Sequence, residues 1–376
     1  MRRMLTLIAM VAVVALLVAC YPPPTTTVTD AVTNLSIPWD TQWTPDGTML
    51  FTERAGDIEA FIAGQKRVLG HPADVVAASE SGMLGMAIDP QFATNRYIYT
   101  CFASTLGGPD NDVRVARWKV NAGYTALTNR VDIVSGIPVN TNGQLGRHSG
   151  CRPRFGPDGA LWIGTGDAAT GSVPQDKHSL GGKVLRVTRD GAGLAPNPGF
   201  VNPATGFDPR IYNYGHRNVQ GIAFRPSDGK AFSVEQGTDC DDEVNQLLPG
   251  ANYGWDPLGS GASYDESHNM TDLVKYPTAI PAIWKSGCPT IATSGAGFVT
   301  GTNWGKWNGM LVIGCLKGAK LFGVMIDSTG TKVLGTSSML TNEGRLRTPA
   351  QGPDGNLYVG TSNETNDSIL KVVPAG

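Results

Sequence analysis

One pattern recurs six times along this chain and leaves few folds open to it: a turn of Pro, Asp, Asn and Gly followed at once by a short β-prone run. The copies are Pro45-Asp46-Gly47 before Met49-Leu50-Phe51, Pro90 to Asn95 before Tyr97-Ile98-Tyr99, and Pro157-Asp158-Gly159 before Leu161-Trp162-Ile163. Ser227-Asp228-Gly229 precedes Ala231-Phe232-Ser233, Asn308-Gly309 precedes Leu311-Val312-Ile313, and Pro353-Asp354-Gly355 precedes Leu357-Tyr358-Val359. Asp-Gly and Asn-Gly favour tight hairpins because glycine accepts positive φ without steric cost. Helical periodicity is almost absent. Six strand-turn-strand units predict an all-β chain folded as a six-bladed β-propeller, in which each four-stranded sheet packs on its neighbours. A β-sandwich also uses many short strands, but repeats spread over the whole chain favour the propeller.

The repeat also locates a site. Polar residues fall eight or nine positions before the turn, as at His148, Arg217, Asn218 and Arg345, and again just after the returning strand, as at Arg54, Asp167, Gln236 and Lys317. A strand that runs down, turns and returns brings both sets to one end of its blade. Equivalent ends from different blades then converge at the mouth of the central channel.

Arg217, Lys317, Arg345 and Arg347, with His148 and His216, gather positive charge at that mouth. A planar guanidinium binds both oxygens of a carboxylate, so the expected ligand is a small polyanion. There is no P-loop, and Gly164-Thr165-Gly166 lacks the spacing and following helix of a dinucleotide fingerprint. The acidic loop Gln236 to Asn245 offers oxygen ligands of the kind calcium takes, though without EF-hand spacing.

Charged residues make up only 16%, glycines number 48 and the formal charge is −2, which describes a turn-rich globular chain and argues against nucleic acid as a partner. Arg2 and Arg3 precede an apolar run from Leu5 to Val18, which ends at Leu17-Val18-Ala19-Cys20. This order predicts a secretory leader over 1–19, with Cys20 acylated as in a bacterial lipoprotein, and a tether over 20–34 that starts Tyr21-Pro22-Pro23-Pro24. The propeller is then 35–376, lipid-anchored in the cell envelope outside the cytoplasm. Export permits disulfides. Pairing cannot be derived from sequence; the expectation adopted is Cys101 with Cys151 and Cys240 with Cys288, leaving Cys315 free.

A series of local motifs in a fixed order resembles the pyrroloquinoline quinone (PQQ)-dependent soluble aldose dehydrogenases, the glucose/sorbosone dehydrogenase family. It includes Ile37-Pro38-Trp39, Gly82-Met83-Leu84-Gly85-Met86-Ala87, Asp89-Pro90-Gln91-Phe92, His148-Ser149-Gly150 and Gly181 to Arg186. It continues with Tyr214-Gly215-His216-Arg217-Asn218-Val219-Gln220-Gly221, Asp242-Glu243-Val244-Asn245, Asn252-Tyr253-Gly254-Trp255, Leu316-Lys317 and Arg345-Leu346-Arg347. The resemblance runs from about Leu35 to Val373 and implies a six-bladed propeller, in agreement with the repeat.

It further implies the reaction aldose + quinone → lactone + quinol, with the quinol re-oxidised by an external electron acceptor. His148 matches the general base that takes the proton from the anomeric hydroxyl, a task suited to imidazole. Asp167 matches the acid that orients it, and Arg217 and Asn218 match quinone contacts. Lys317, Arg345 and Arg347 match ligands of the cofactor's carboxylates. The carbonyls of Gly237 and Thr238 match the holders of a calcium that polarises the quinone, and Glu243 and Tyr253 match ligands of a second, structural calcium. The chain departs from the pattern in three respects. Thr238 stands where proline is common, Glu80 where a glutamine often meets the cofactor, and Cys151 and Cys240 flank the base and the metal loop. His216 reads as structural, and Trp255, Trp304 and Trp307 as packing rather than sugar platforms. A non-catalytic envelope scaffold has no use for this residue set. A calcium-dependent lactonase would need several carboxylates at the channel centre, whereas here they lie largely in one loop.

Overall fold

A computed structural model of the protein describes residues 21–140 and 143–375. Its strands form six four-stranded sheets: 38–70, 83–137, 152–214, 219–285, 293–339, and 346–374 completed by Thr26–Leu35. The first strand of each sheet is innermost. Pro38–Trp43 touches Met83–Ile88, which touches Arg152–Phe155, and so on through Val219–Phe224, Thr293–Phe298 and Leu346–Gln351 back to Pro38–Trp43. The ring is closed, and the six-bladed propeller expected from the repeat is the fold.

The repeat turns join the first two strands of each blade. Gly47, Gly159, Gly229, Gly309 and Gly355 have φ between +72° and +88°. At four of them, all but Gly229, a Cβ would meet nothing within 4 Å, so backbone conformation rather than crowding requires glycine. The second copy differs. There Phe92–Asn95 makes one helical turn, closed by Arg96 at φ 56°, and buries Phe92 in the core. The runs after the turns are buried end to end, as in Met49–Glu53 and Leu311–Cys315. Both faces of a middle strand pack on neighbouring blades, so polar alternation is absent.

The last blade corrects the expected boundary. From Thr26 onward, the segment expected as a tether is a strand, paired antiparallel from Thr26 opposite Pro374 to Leu35 opposite Asp367. Three strands of the last repeat leave an open edge, and the β-prone Thr-Thr-Val-Thr run covers it. Asp367 pins this closure by accepting from the backbone N–H of Ile37 at 3.0 Å and the Thr361 hydroxyl at 2.7 Å. The expected leader and Cys20 lie outside the described residues. Among the described residues no helix is long and apolar enough to cross a membrane.

Both disulfides pair as expected, Cys101 with Cys151 and Cys240 with Cys288, and Cys315 is a buried free thiol. Separations of 50 and 48 residues correspond to about 4 kcal/mol of stabilisation each in the chain-entropy treatment. The first bond fixes the backbone three residues beyond His148, and the second fixes the acidic loop.

Candidate active site

Two loops at one end of the third blade meet across Gly166. A Cβ there would lie 1.8 Å from the carbonyl oxygen of His148, so only glycine lets the loops touch. The contact is fastened by Ala168 N–H donating to that carbonyl at 3.2 Å and Asp167 N–H donating to the Arg217 carbonyl at 2.7 Å. His148 itself sits at φ 52°, a left-handed conformation that costs a bulky residue free energy and persists where its surroundings impose it.

The result is a buried His–Asp pair. His148 Nδ1 lies 2.8 Å from Asp167 Oδ1. A carboxylate only accepts, so Nδ1 carries the proton and Nε2 is left as the basic nitrogen. Asp167 also accepts from Trp255 Nε1 at 2.7 Å and from the Ala169 N–H at 2.8 Å. Burial alone would raise the Asp167 carboxyl. The charge and hydrogen bond of His148, with Arg217 and Trp255, outweigh burial and hold it below the ordinary carboxylate range.

Beside this pair, at the same end of the ring, is a cavity of about 250 Å³. Arg54, Arg345 and Arg347 line it with Trp39, Glu80, Gln220, Gln236 and Ser362. Arg347 lies 3.7 Å from the Trp39 ring centroid and donates to the Ser362 hydroxyl at 3.1 Å. Burial, joined by the charges of Arg152, Arg345 and Arg54, pushes its guanidinium well below the usual range. A cation so crowded calls for an anion. Buried polar atoms without a partner cluster here too: Trp39 Nε1 and Gln220 Oε1 belong to the lining residues, and Arg152 Nη2 lies beside them. Such atoms are rare in folded proteins and mark a place for ligand or water.

The sequence-predicted residues divide accordingly. Arg345, Arg347 and Glu80 line the cavity. Glu80 also ties it to the His–Asp pair, since its Oε2 accepts from Asn218 Nδ2 at 3.0 Å and from the His148 N–H at 3.2 Å. Arg217 is buried next to them, with Nη1 on the Gln236 carbonyl at 3.0 Å and Nε unpaired. Lys317 is exposed and stays outside the wall, where its neighbour Leu316 stands instead. His216 is structural, as expected, with its ring nitrogens on Glu235 and Asn213 and its face on Tyr253.

The two expected calcium sites fare differently. Among the described residues no cluster of three or more His, Cys, Asp or Glu side chains could hold a metal ion. The carbonyls of Gly237 and Thr238 accept no hydrogen bond among the described residues, which fits the oxygen donors a hard cation takes. At the second expected site the side chains already have protein partners. The Glu243 carboxylate faces Lys285 Nζ at 3.2 Å and accepts from the Thr271 hydroxyl at 3.2 Å. The Tyr253 hydroxyl is spent on the Gln246 carbonyl and the Leu248 N–H. The ammonium supplies the positive charge that a cation would bring, and the side-chain oxygens of Glu243 and Tyr253 are already engaged within the protein.

Two polar groups at the site went unforeseen. Between Glu243–Gln246 and Trp284–Lys285 the chain makes a long excursion without strands, which reaches over the His–Asp pair. It delivers Tyr264, whose hydroxyl is 3.2 Å from Asp167 Oδ2, and Glu266, bound to Arg217 Nη2 at 2.8 Å and Arg147 Nη2 at 2.6 Å. No repeat position announces either residue.

A family model described as Glucose / Sorbosone dehydrogenase matches residues 35–371. The chain belongs to this family. This makes it an oxidoreductase of the glucose/sorbosone dehydrogenase type, and a buried His–Asp pair beside a cationic pocket agrees with such chemistry. An aldose sugar dehydrogenase of Escherichia coli is 29% identical, with 94% of each chain covered. The PQQ-bound aldose sugar dehydrogenase of Streptomyces coelicolor superposes with a TM-score of 0.73 at 29% identity, covering 93% of this chain and 99% of that one. A glucose dehydrogenase-like oxidoreductase of Thermus thermophilus gives 0.78 at 33%, covering 93% and 100%.

Proposed function

We propose that this family member oxidises an aldose at C1 to the lactone, with PQQ as oxidant and His148 as the base. The observation that carries the reading is the His148–Asp167 pair set beside a pocket in which three arginines outnumber two glutamates. When bound, the quinone supplies an electrophilic carbon that takes the hydride, and a calcium on the Gly237 and Thr238 carbonyls would polarise it. Arg345 and Arg347 would hold the cofactor's carboxylates by charge-assisted hydrogen bonds, with the exposed Lys317 outside the wall as a further positive charge. Glu80 positions Asn218, which would meet the quinone edge, and Arg217 would stabilise negative charge that develops there. His148 Nε2 takes the hydroxyl proton, while Asp167 fixes the ring and stabilises the imidazolium. In the same reading the protein is exported and anchored through an acylated Cys20, and it passes electrons to an external acceptor.

Apo-protein mixed with PQQ and calcium should gain dye-linked oxidation across a panel of aldoses. Absence of quinone binding at micromolar concentration would count for the scaffold reading, and lactone hydrolysis without quinone for the lactonase. Arg347→Met removes a charge-assisted partner worth about 1.5–3 kcal/mol, so quinone affinity should weaken roughly 10- to 100-fold by titration. An unchanged Kd would remove Arg347 from the cofactor site.

A further inference from the structure

A proton taken up at His148 Nε2 sits on a buried nitrogen and needs a route to solvent. The His148 side chain is 3% exposed and Asp167 is 0% exposed. Asp167 cannot serve as the exit, since it faces Nδ1 and its oxygens already accept from His148, Ala169, Trp255 and Tyr264. On the other side of the ring, Glu266 Oε1 lies 3.7 Å from Nε2, and its side chain is 30% exposed. Among the described residues no other carboxylate pairs with Nε2.

We propose that Glu266 is the proton outlet of the site: the proton that His148 Nε2 takes from the substrate hydroxyl moves to Glu266 Oε1 and from there to bulk solvent. This rests on the proposed function. Nothing is oxidised or reduced in the transfer. The N–H bond at Nε2 breaks, an O–H bond forms on the carboxylate, and that bond breaks in turn to a water or buffer base. The 3.7 Å gap exceeds a direct hydrogen bond, and one bridging water or a small rotation of the carboxylate spans it. The groups facing Glu266 suit a transit point rather than a store. Arg217 Nη2, Arg147 Nη2 and the Tyr264 hydroxyl all point at Oε1, with Asp167 behind Tyr264. Burial raises the Glu266 carboxyl, but Arg217 first, then His148 and Arg147, outweigh it and hold it below the usual range. Ionised at rest, it passes on a proton that reaches it rather than keeping it.

The test uses the PQQ- and calcium-loaded protein and the variant Glu266→Gln, which keeps the side chain's shape. The expected result is a fall in kcat on the order of 10²-fold, with KM and quinone affinity within about twofold of wild type. The C1-deuterium isotope effect on kcat should shrink toward one, because proton release then limits turnover. Glu266→Ala, which leaves room for a small base, should regain rate as formate or imidazole is raised at fixed pH and ionic strength, and wild type should not respond. Full activity in Glu266→Gln, or a loss that no buffer base restores, overturns the outlet and leaves Glu266 as a clamp on Arg217. A loaded wild type without aldose oxidation would sink the proposed function itself and the outlet with it.

Discussion

His148→Ala is expected to bind the quinone within about threefold of wild type yet oxidise aldoses roughly 10²–10⁴ times more slowly. The two readouts separate because His148 is not part of the wall that faces the cavity. The arginines that would hold the cofactor, Arg345 and Arg347, stand on the sixth blade, and His148 opens the third. Its backbone contacts, through the N–H to Glu80 and the carbonyl from Ala168, survive the truncation. Quinone titration and dye-linked kinetics check this pair of outcomes. A variant that keeps wild-type kcat would require a different base.

Asp167→Asn should cost up to about 10⁴-fold in kcat, although the change is nearly isosteric, on the precedent of orienting carboxylates behind a catalytic histidine. Asp167 accepts from His148 Nδ1 and so leaves Nε2 without a proton. An asparagine amide turned toward Nδ1 donates instead, which moves the proton to Nε2 and removes the base. The carboxylate also stabilises the imidazolium that forms on proton transfer, and a neutral amide does not. Quinone affinity should stay near wild type, since Asp167 is buried behind the ring. The measurement is kcat and Kd side by side. A loss confined to Kd would place Asp167 with the cofactor rather than with the base.

The parts of this protein that were legible in the sequence are those the repeat controls. Each blade must turn at its Asp-Gly or Asn-Gly, and the period then dictates which residues reach the mouth, so His148, Asp167, Asn218, Arg345 and Arg347 could be located before any coordinates. Legibility fails where the repeat is interrupted. Tyr264 and Glu266 sit on the excursion between the last two strands of the fourth blade, where no periodicity fixes a side chain's direction. Pairing across the whole chain length is equally invisible locally, so Thr26–Leu35 reads as a tether until the sixth blade is seen to need a fourth strand. Lys317 follows the repeat and still stays exposed, because the blade end turns Leu316 inward instead. Glu243 matched a ligand motif, yet Lys285, 42 residues further on, supplies its counter-charge.

If this site carries hydride from an aldose C1 to a bound quinone while His148 takes the proton, both events must appear within one turnover. An anaerobic single turnover tests it most directly: quinone-loaded protein is mixed with an aldose, protiated or deuterated at C1, and the quinone absorbance is followed. The expected result is complete bleaching in one phase, slowed by C1 deuteration, with release of one equivalent of lactone. His148→Ala should hold the quinone and fail to bleach on that timescale. A loaded wild-type protein whose quinone absorbance is unmoved by every aldose offered, or whose bleaching is indifferent to C1 deuteration and to His148, would contradict it.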